Sequence, residues 1–337
     1  MSARLRALAF AAAAAASAPA AFAHHSTALV YERDGPLIEV EGTITEVAWV
    51  NPHVRFKLRG TGPDGVEREW DIESNSVSNV SRFGLTAELV AAGTRVKVAG
   101  NGGRQLDNVL WLTNMLLPND QEILFGQAVR ARWSQQTIGR DVRGAVTADT
   151  RNLGLYRVWT NATAPPAFWG STFPLTASAA AARAAYDPLT QDPTANCAPK
   201  GMPFIMEQPY PMEIVAAGDE ILIKMEEYDI VRRVAMMPGV AQRPDAESSL
   251  GSSFGRWEGA VLAVFTVDIG YGWVNGMGIP LGPDASTVER FALNADGSRL
   301  EYTMTITDPA TFTSPATFSK AWEWRPGEQL RPYECRR

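Results

Sequence analysis

Short runs of alternating apolar and polar residues, separated by turns rich in glycine and proline, fill the chain between residues 37 and 117. Alternation with a period of two is typical of strands that bury one face. A short helix is expected at residues 76–83, between the third and fourth of five strands at 38–47, 54–58, 69–72, 95–98 and 109–112. This order predicts a small Greek-key barrel of the oligonucleotide/oligosaccharide-binding (OB) type.

The strand pattern returns in the second half of the chain, around an alanine-rich helix expected at residues 175–186. Apolar runs occur at 155–160, 213–215, 220–225, 230–235, 261–267, 286–293, 300–307 and 318–324. About eight antiparallel strands can close into a barrel with room for one small ligand, as in lipocalins. We therefore expect a mainly β protein with an OB-like domain at 24–125, a linker or entry segment at 126–150 and a lipocalin-like barrel at 151–337.

The first 23 residues have the composition of a secretory signal peptide. Arg4 and Arg6 precede an apolar run at 7–16, and residues 21–23 (Ala-Phe-Ala) offer the small residues that signal peptidase reads. The run is shorter than the ~20 residues that a membrane-spanning helix needs, and no later segment reaches that length. We expect a periplasmic or secreted protein that begins at His24 after cleavage and has no transmembrane segment.

The charge balance argues against a nucleic-acid partner, and the two cysteines predict a disulfide. Of the 337 residues, 31 are basic and 37 acidic, which gives a formal net charge of −6. This balance lacks the positive charge that phosphate backbones require, so a nucleic-acid partner is not expected. Export would place Cys197 and Cys335 where disulfides persist, and their wide spacing favours a structural disulfide over a reactive thiol pair.

All three histidines lie near the start of the chain, at His24, His25 and His53. Copper(II) prefers nitrogen ligands in a tetragonal plane. After cleavage, His24 would offer its α-amine and a ring nitrogen, His53 a second ring and His25 a further ligand, which predicts a copper site. The alternative is that His24 and His25 are solvated at a frayed terminus and that His53 pins a turn.

Two carboxylates on the third predicted strand could lie near the predicted copper site. Asp71 and Glu73 alternate with Trp70 and Ile72, so both carboxylates face one side of the strand. They could supply a carboxylate near the histidines or a general acid, although strand carboxylates are most often merely exposed.

Two aromatic segments in the second half are candidates for ligand binding. Arg256, Trp257 and Glu258 could set an Arg–Glu pair beside an aromatic wall at the barrel mouth. Tyr271 and Trp273 lie in a glycine-rich loop that could cover an apolar pocket. The alternatives are a turn whose tryptophan plugs the barrel end and an ordinary hairpin loop.

Ordered motifs in the first half resemble an uncharacterised family of exported bacterial proteins with an AHHS start and an NPH turn. The resemblance covers about residues 23–125 and implies no established activity. The matching positions are His24-His25-Ser26, Tyr31, 42–47, 49–53, Trp70, Glu73, Ser76, Gly93 and Leu117-Pro118.

The second half resembles another set of exported bacterial proteins with a GRWEG motif, which looks lipocalin-like. The resemblance implies the same barrel that the strand count predicts. The matching positions are Asp192-Pro193, Cys197, 201–203, 209–214, 255–259, 289–291, 307–309 and 333–335.

These features favour a non-enzymatic binding protein. The second barrel would hold a small apolar or amphipathic molecule, and the first would hold a copper ion. The rival is a periplasmic enzyme, either a copper-dependent oxidase or a barrel-type isomerase or cyclase. The third hypothesis is a structural envelope protein.

Overall fold

The structure is a computed structural model, and it describes residues 27–82, 84–126, 129–139, 154–162, 173–192, 194, 196–236 and 248–335. The N-terminal part forms a closed five-stranded barrel and the C-terminal part a closed nine-stranded barrel. The predicted fold class is thereby confirmed. Within these ranges, no helix has both the length and the apolar composition needed to cross a membrane.

The N-terminal barrel has the connectivity of an OB fold. Its strands are β1 (Ile38–Ala48), β2 (Arg55–Thr61), β3 (Glu67–Glu73), β4 (Arg95–Gly102) and β5 (Val109–Leu116). They follow the order β3-β2-β1-β4-β5 with antiparallel neighbours, and a parallel pairing of β3 with β5 closes the barrel. The helix Val77–Arg82 and the 3₁₀ turn Ala87–Val90 lie between β3 and β4, where the sequence predicts a helix.

A glycine in the middle of β1, Gly42, lies where this strand pairs with both β2 and β4. Residues 41–48 pair with β2, and residues 38–43 pair with β4. A Cβ atom at Gly42 would lie 2.2 Å from the carbonyl oxygen of Arg59. Glycine is therefore required where the two backbones approach this closely.

The N-terminal sheet continues past the barrel, and its last strand, β7, lies in the segment 126–150 that the sequence pattern assigns to a linker. β6 (Glu122–Leu124) pairs with β5, and β7 (Thr137–Ile138) pairs with β6. The buried carboxylate of Glu122 accepts hydrogen bonds of 2.8 to 3.0 Å from the backbone N–H groups of Arg132, Trp133 and Ser134. Burial raises the pKa of Glu122, but these hydrogen bonds outweigh burial, so its pKa lies below the ordinary value of 4.5.

We expect Glu122→Gln to lower the free energy of unfolding by about 2 kcal/mol at neutral pH, because a neutral amide accepts these N–H groups more weakly. Since the folded pKa is the lower one, the contribution of Glu122 is complete above about pH 4.5 and is lost as the pH falls through the folded pKa. Urea unfolding at neutral and acid pH measures both effects. The exposed Glu46→Gln variant is the control. An acid dependence identical in the wild type and Glu122→Gln would contradict this role.

The C-terminal barrel is an up-and-down arrangement in which strands adjacent in sequence are adjacent in space. It consists of β8 (Val158–Asn161), β9 (Met212–Ala217), β10 (Glu220–Met225), β11 (Ile230–Ala235), β12 (Ser252–Glu258), β13 (Val261–Val267), β14 (Ser286–Leu293), β15 (Arg299–Thr307) and β16 (Ala316–Trp324). β16 pairs with β8 to close the ring, and only β11 and β12 pair in parallel among its strands. The other helical elements described are Thr27–Val30, Ala177–Ala185, Pro188–Gln191 and the 3₁₀ turns Phe204–Glu207 and Glu227–Asp229.

The ninth strand, β12, is the one that the sequence pattern does not predict. Ser252, Ser253 and Gly255 interrupt its apolar residues, so it lacks the usual alternation. It nevertheless pairs with β13 along its whole length. Arg256, Trp257 and Glu258 therefore lie on a strand and not in a turn.

Residues 325–335, which we name the C-terminal tail, connect the two barrels. The predicted disulfide between Cys197 and Cys335 is confirmed, and Cys335 also forms a β-bridge with Asn51 of the N-terminal barrel. Arg82 lies between two carboxylates of the C-terminal part, 2.7 Å from Glu226 and 2.9 Å from Glu328. The barrels are thus docked through the tail.

Candidate metal centre in the N-terminal barrel

Strand register brings a carboxylate, a guanidinium and an indole into one row at the end of the N-terminal barrel. Glu73 is the last residue of β3. It lies opposite Arg55, the first residue of β2, and opposite Trp111 in the parallel pairing with β5. His53 precedes β2 by two residues, and Tyr31 joins the same end through a β-bridge to Gly103.

The imidazole of His53 is held by the backbone. Its Nδ1 lies 2.9 Å from the carbonyl oxygen of Ser74. A carbonyl oxygen only accepts hydrogen bonds, so Nδ1 carries the proton. Nε2 is therefore the nitrogen with a lone pair in the neutral ring, and it lies 3.8 Å from Oε1 of Glu73.

Glu73 is buried and holds the cluster together. Its Oε2 accepts a 2.7 Å hydrogen bond from the hydroxyl of Tyr31, and its Oε1 lies 3.8 Å from the guanidinium of Arg55. Burial raises the pKa of Tyr31 far above its ordinary value, and the charge of Glu73 adds to the shift. Tyr31 therefore stays protonated and acts as a donor to Glu73.

Trp111 forms the wall against which the cluster packs. The ring of His53 meets it edge-on at 5.3 Å between centroids, and the ring of Tyr31 lies at 5.8 Å. The guanidinium of Arg33 lies over the indole at 5.4 Å and donates a hydrogen bond to the hydroxyl of Thr27. These contacts place the first described residues of the chain beside the His53 cluster.

The predicted metal ligands divide between described and undescribed residues. His53 is described, whereas His24 and His25 lie outside the described residues. The carboxylate expected near the histidines is Glu73, and Asp71 of the same strand is exposed. In the described ranges, no group of three or more histidine, cysteine or carboxylate side chains is placed to hold a metal ion.

The geometry of His53 and Glu73 is compatible with an ion between them. Bonds from a metal ion to nitrogen and oxygen are each about 2.0–2.2 Å long, so the two ligand atoms can be up to ~4 Å apart. The observed 3.8 Å falls within that span. Sequence reasoning missed Tyr31 and Trp111 as members of this site, because the distances along the chain give no sign of the register that joins them.

The five predicted ligand-binding residues lie at opposite ends of the second barrel. Arg256, Trp257 and Glu258 occupy the far end of β12, where Arg256 and Arg290 pair with Glu258 on the outer surface. Trp257 is 45% exposed and meets Tyr156 edge-on. The loop that holds the other two residues leaves β13 at its opposite end, roughly 20 Å away for a strand of this length.

Tyr271 and Trp273 belong to a loop that is packed against the barrel. Tyr271 contacts Phe204 at 6.4 Å between ring centroids and lies directly over Gly201. Trp273 contacts Tyr186 at 5.3 Å. The absence of a side chain at Gly201 and Gly278 permits close approaches, and Gly278 has a positive φ of 74° where the ring of Tyr186 meets it.

Many buried side chains lie inside the C-terminal barrel. Trp159 and Trp322 are fully buried in a cluster that contains apolar residues from most of its strands. An ion pair also lies inside, because Glu289 of β14 points inward to Arg232 of β11. Arg290, its neighbour in sequence, points outward to Glu258.

Comparison with known proteins identifies one family in the first half of the chain. Residues 12–109 match the model of a family of unknown function, DUF6152. The match spans fewer than a third of the 337 residues and agrees with the predicted resemblance of the N-terminal part to an uncharacterised family. No curated protein matches the chain. The resemblance of the second half to lipocalin-like exported proteins stays a prediction.

Proposed function

We propose that this chain is an exported metal-binding protein that holds a copper ion at the N-terminal barrel through His53, His24 and His25. The observation that carries the proposal is the orientation of His53. Its Nδ1–H donates to the carbonyl of Ser74, which turns Nε2 toward Glu73. Histidine ligands of metal ions are typically oriented by a backbone carbonyl in this way.

The chain before Thr27 can supply the remaining nitrogen ligands. His25 precedes Thr27 by two residues, a distance of at most ~7 Å along an extended chain. Thr27 is tied to Arg33, which lies over the same indole that His53 meets. Cleavage after Ala23 would add the α-amine of His24, whose pKa near ~7.7–8.0 lets copper displace its proton readily.

Glu73 would offer its carboxylate to the ion, and Tyr31 would support Glu73. Glu73 carries a negative charge beside Nε2 of His53, and the Tyr31 hydroxyl fixes its orientation. Such supporting hydrogen bonds commonly change metal affinity by about 10–100-fold. A small ligand inside the C-terminal barrel stays a prediction, because the contacts described there are those of an apolar cluster and a buried ion pair and not of a binding site.

The test is a copper(II) titration of the mature protein, with the first residue confirmed by mass spectrometry. We expect His53→Gln to weaken binding by about 100-fold and Tyr31→Phe by about tenfold. An alanine added before His24 should weaken binding strongly, because the α-amine is then no longer on a histidine. Lys57→Gln, at an exposed ion pair on β2, is the control and should bind as the wild type does.

Electron paramagnetic resonance of the copper complex gives a second readout. Nitrogen hyperfine structure should decrease in His53→Gln and not in the control. Equal affinity of all variants, or a spectrum that is unchanged by His53→Gln, would overturn the proposal. A preference for zinc over copper at the same histidines would retain the site and refute the assignment of copper.

A further inference from the structure

A cavity of about 410 Å³ lies between the two barrels. Trp111 and Phe125 line it from the N-terminal barrel, and Asn161, Pro209 and Arg325 line it from the C-terminal part. Its volume lies within the range of small-molecule sites, which occur preferentially at boundaries between domains. The cavity is distinct from the interior of either barrel, and the sequence gives no indication of it.

Contacts between the two barrels hold the walls of the cavity in place. Arg82 lines it and is held by Glu226 and Glu328 of the C-terminal part. Close by, the hydroxyl of Tyr210 lies 3.4 Å from the carbonyl of Pro52. A ligand would therefore find both walls already in place, which lowers the ordering cost of binding.

The lining carries positive charge in a chain that is acidic as a whole. Arg33, Arg82 and Arg325 line the cavity, whereas no aspartate or glutamate does among the described residues. The charge of Arg82 is balanced by its two carboxylate partners. Arg33 has no carboxylate within 4 Å in the described part of the chain, so its charge is available at the rim.

Aromatic and amide groups complete the lining. The indole of Trp111 lines the cavity beside the guanidinium of Arg33, so a flat ring of a ligand can contact it next to that charge. The side-chain oxygen of Asn161 is buried and lacks a hydrogen-bond partner in the described structure. Buried polar atoms without partners are costly, so this oxygen favours a ligand that brings a donor.

We propose that the cavity between the barrels binds a small organic anion, with an aromatic ring against Trp111 and its acidic group near Arg33 and Arg325. The shared chemistry is a carboxylate, sulfonate or phosphate on a planar ring that also bears an N–H or O–H donor. The cavity shares Trp111 and Arg33 with the surroundings of His53, so its test is carried out with metal removed and stands or falls separately from copper binding.

The experiment compares two probes that differ in charge, in the presence of a chelator that removes bound metal. 8-Anilino-1-naphthalenesulfonate carries the anion, the rings and an N–H donor, whereas N-phenyl-1-naphthylamine lacks the sulfonate. Fluorescence titration of the full mature protein should show binding of the first probe at least tenfold tighter than that of the second. The double variant Arg33→Gln/Arg325→Gln should remove that preference and leave the weaker binding of the neutral probe unchanged.

A matched variant separates a built site from general attraction to positive charge. Arg59→Gln removes an arginine that is 63% exposed on β2, away from the cavity, and should bind both probes as the wild type does. Thermal unfolding of each variant checks that the fold is intact. Equal binding of the two probes by the wild type, or a loss of binding in Arg59→Gln equal to that in the double variant, would overturn the proposal.

Discussion

Replacing Arg232 by methionine is expected to lower the free energy of unfolding by about 3–5 kcal/mol, because it leaves the carboxylate of Glu289 buried without its cation. Both side chains are almost fully buried in the C-terminal barrel, and Nη1 of Arg232 lies 2.9 Å from Oε1 of Glu289. Arg232 also donates to Ser253 at 3.0 Å and to Thr266 at 2.8 Å. The hydroxyl of Tyr302 donates to Glu289 at 2.7 Å.

The double variant Arg232→Met/Glu289→Leu distinguishes the cost of an isolated charge from the value of the pair. Well-packed apolar replacements of a buried ion pair are often neutral or stabilising. We therefore expect the double variant to recover most of the stability that the single variant loses. Denaturant unfolding of both variants measures the difference, with Arg233→Met on the outer face of β11 as control. A single variant within about 1 kcal/mol of wild type would show that the pair is not isolated from solvent.

Removing the disulfide by Cys197→Ala/Cys335→Ala should lower the free energy of unfolding by about 4–5 kcal/mol. The two cysteines are 138 residues apart, so the bond closes a long loop and strongly restricts the unfolded chain. The folded tail has other anchors, since Tyr333 is buried against Tyr228 and Tyr210. We therefore expect the fold to persist and the loss to reside mainly in the unfolded state.

Guanidinium unfolding of this variant, and of the wild type with and without a reductant, measures the effect. Reduced wild type and the alanine variant should unfold at similar denaturant concentrations. Ala198→Ser, at an exposed position beside Cys197, controls for local substitution. Equal stability of the oxidised and reduced proteins would contradict the loop-closure account.

The sequence predicts those parts of the fold that depend on local pattern. Runs such as 220–225 and 230–235 show the period of two, and the structure confirms both as strands. β12 escapes prediction because Gly255 and the serines break that period. Its place in the sheet is fixed by pairing with β13. The residue pattern of one strand carries no information about such a partner.

The sequence likewise predicts only some of the side chains of the candidate site. His53 is conspicuous in the sequence because histidine is rare in this chain, and Glu73 follows from strand alternation. Tyr31 and Trp111 join them only through the bridge to Gly103 and the parallel pairing of β3 with β5. Likewise, the partner of Glu289 is Arg232, 57 residues away along the chain.

The β-bridge between Asn51 and Cys335 has a consequence for the order in which the protein matures. Asn51 lies two residues before His53, so a turn made early in synthesis receives one of its bridge partners from a residue that follows the whole second barrel. The side chain of Asn51 also donates to the carbonyl of Tyr333. The N-terminal barrel therefore acquires its final neighbours only after the whole second barrel has been translated, and oxidation of the cysteines then locks them in place.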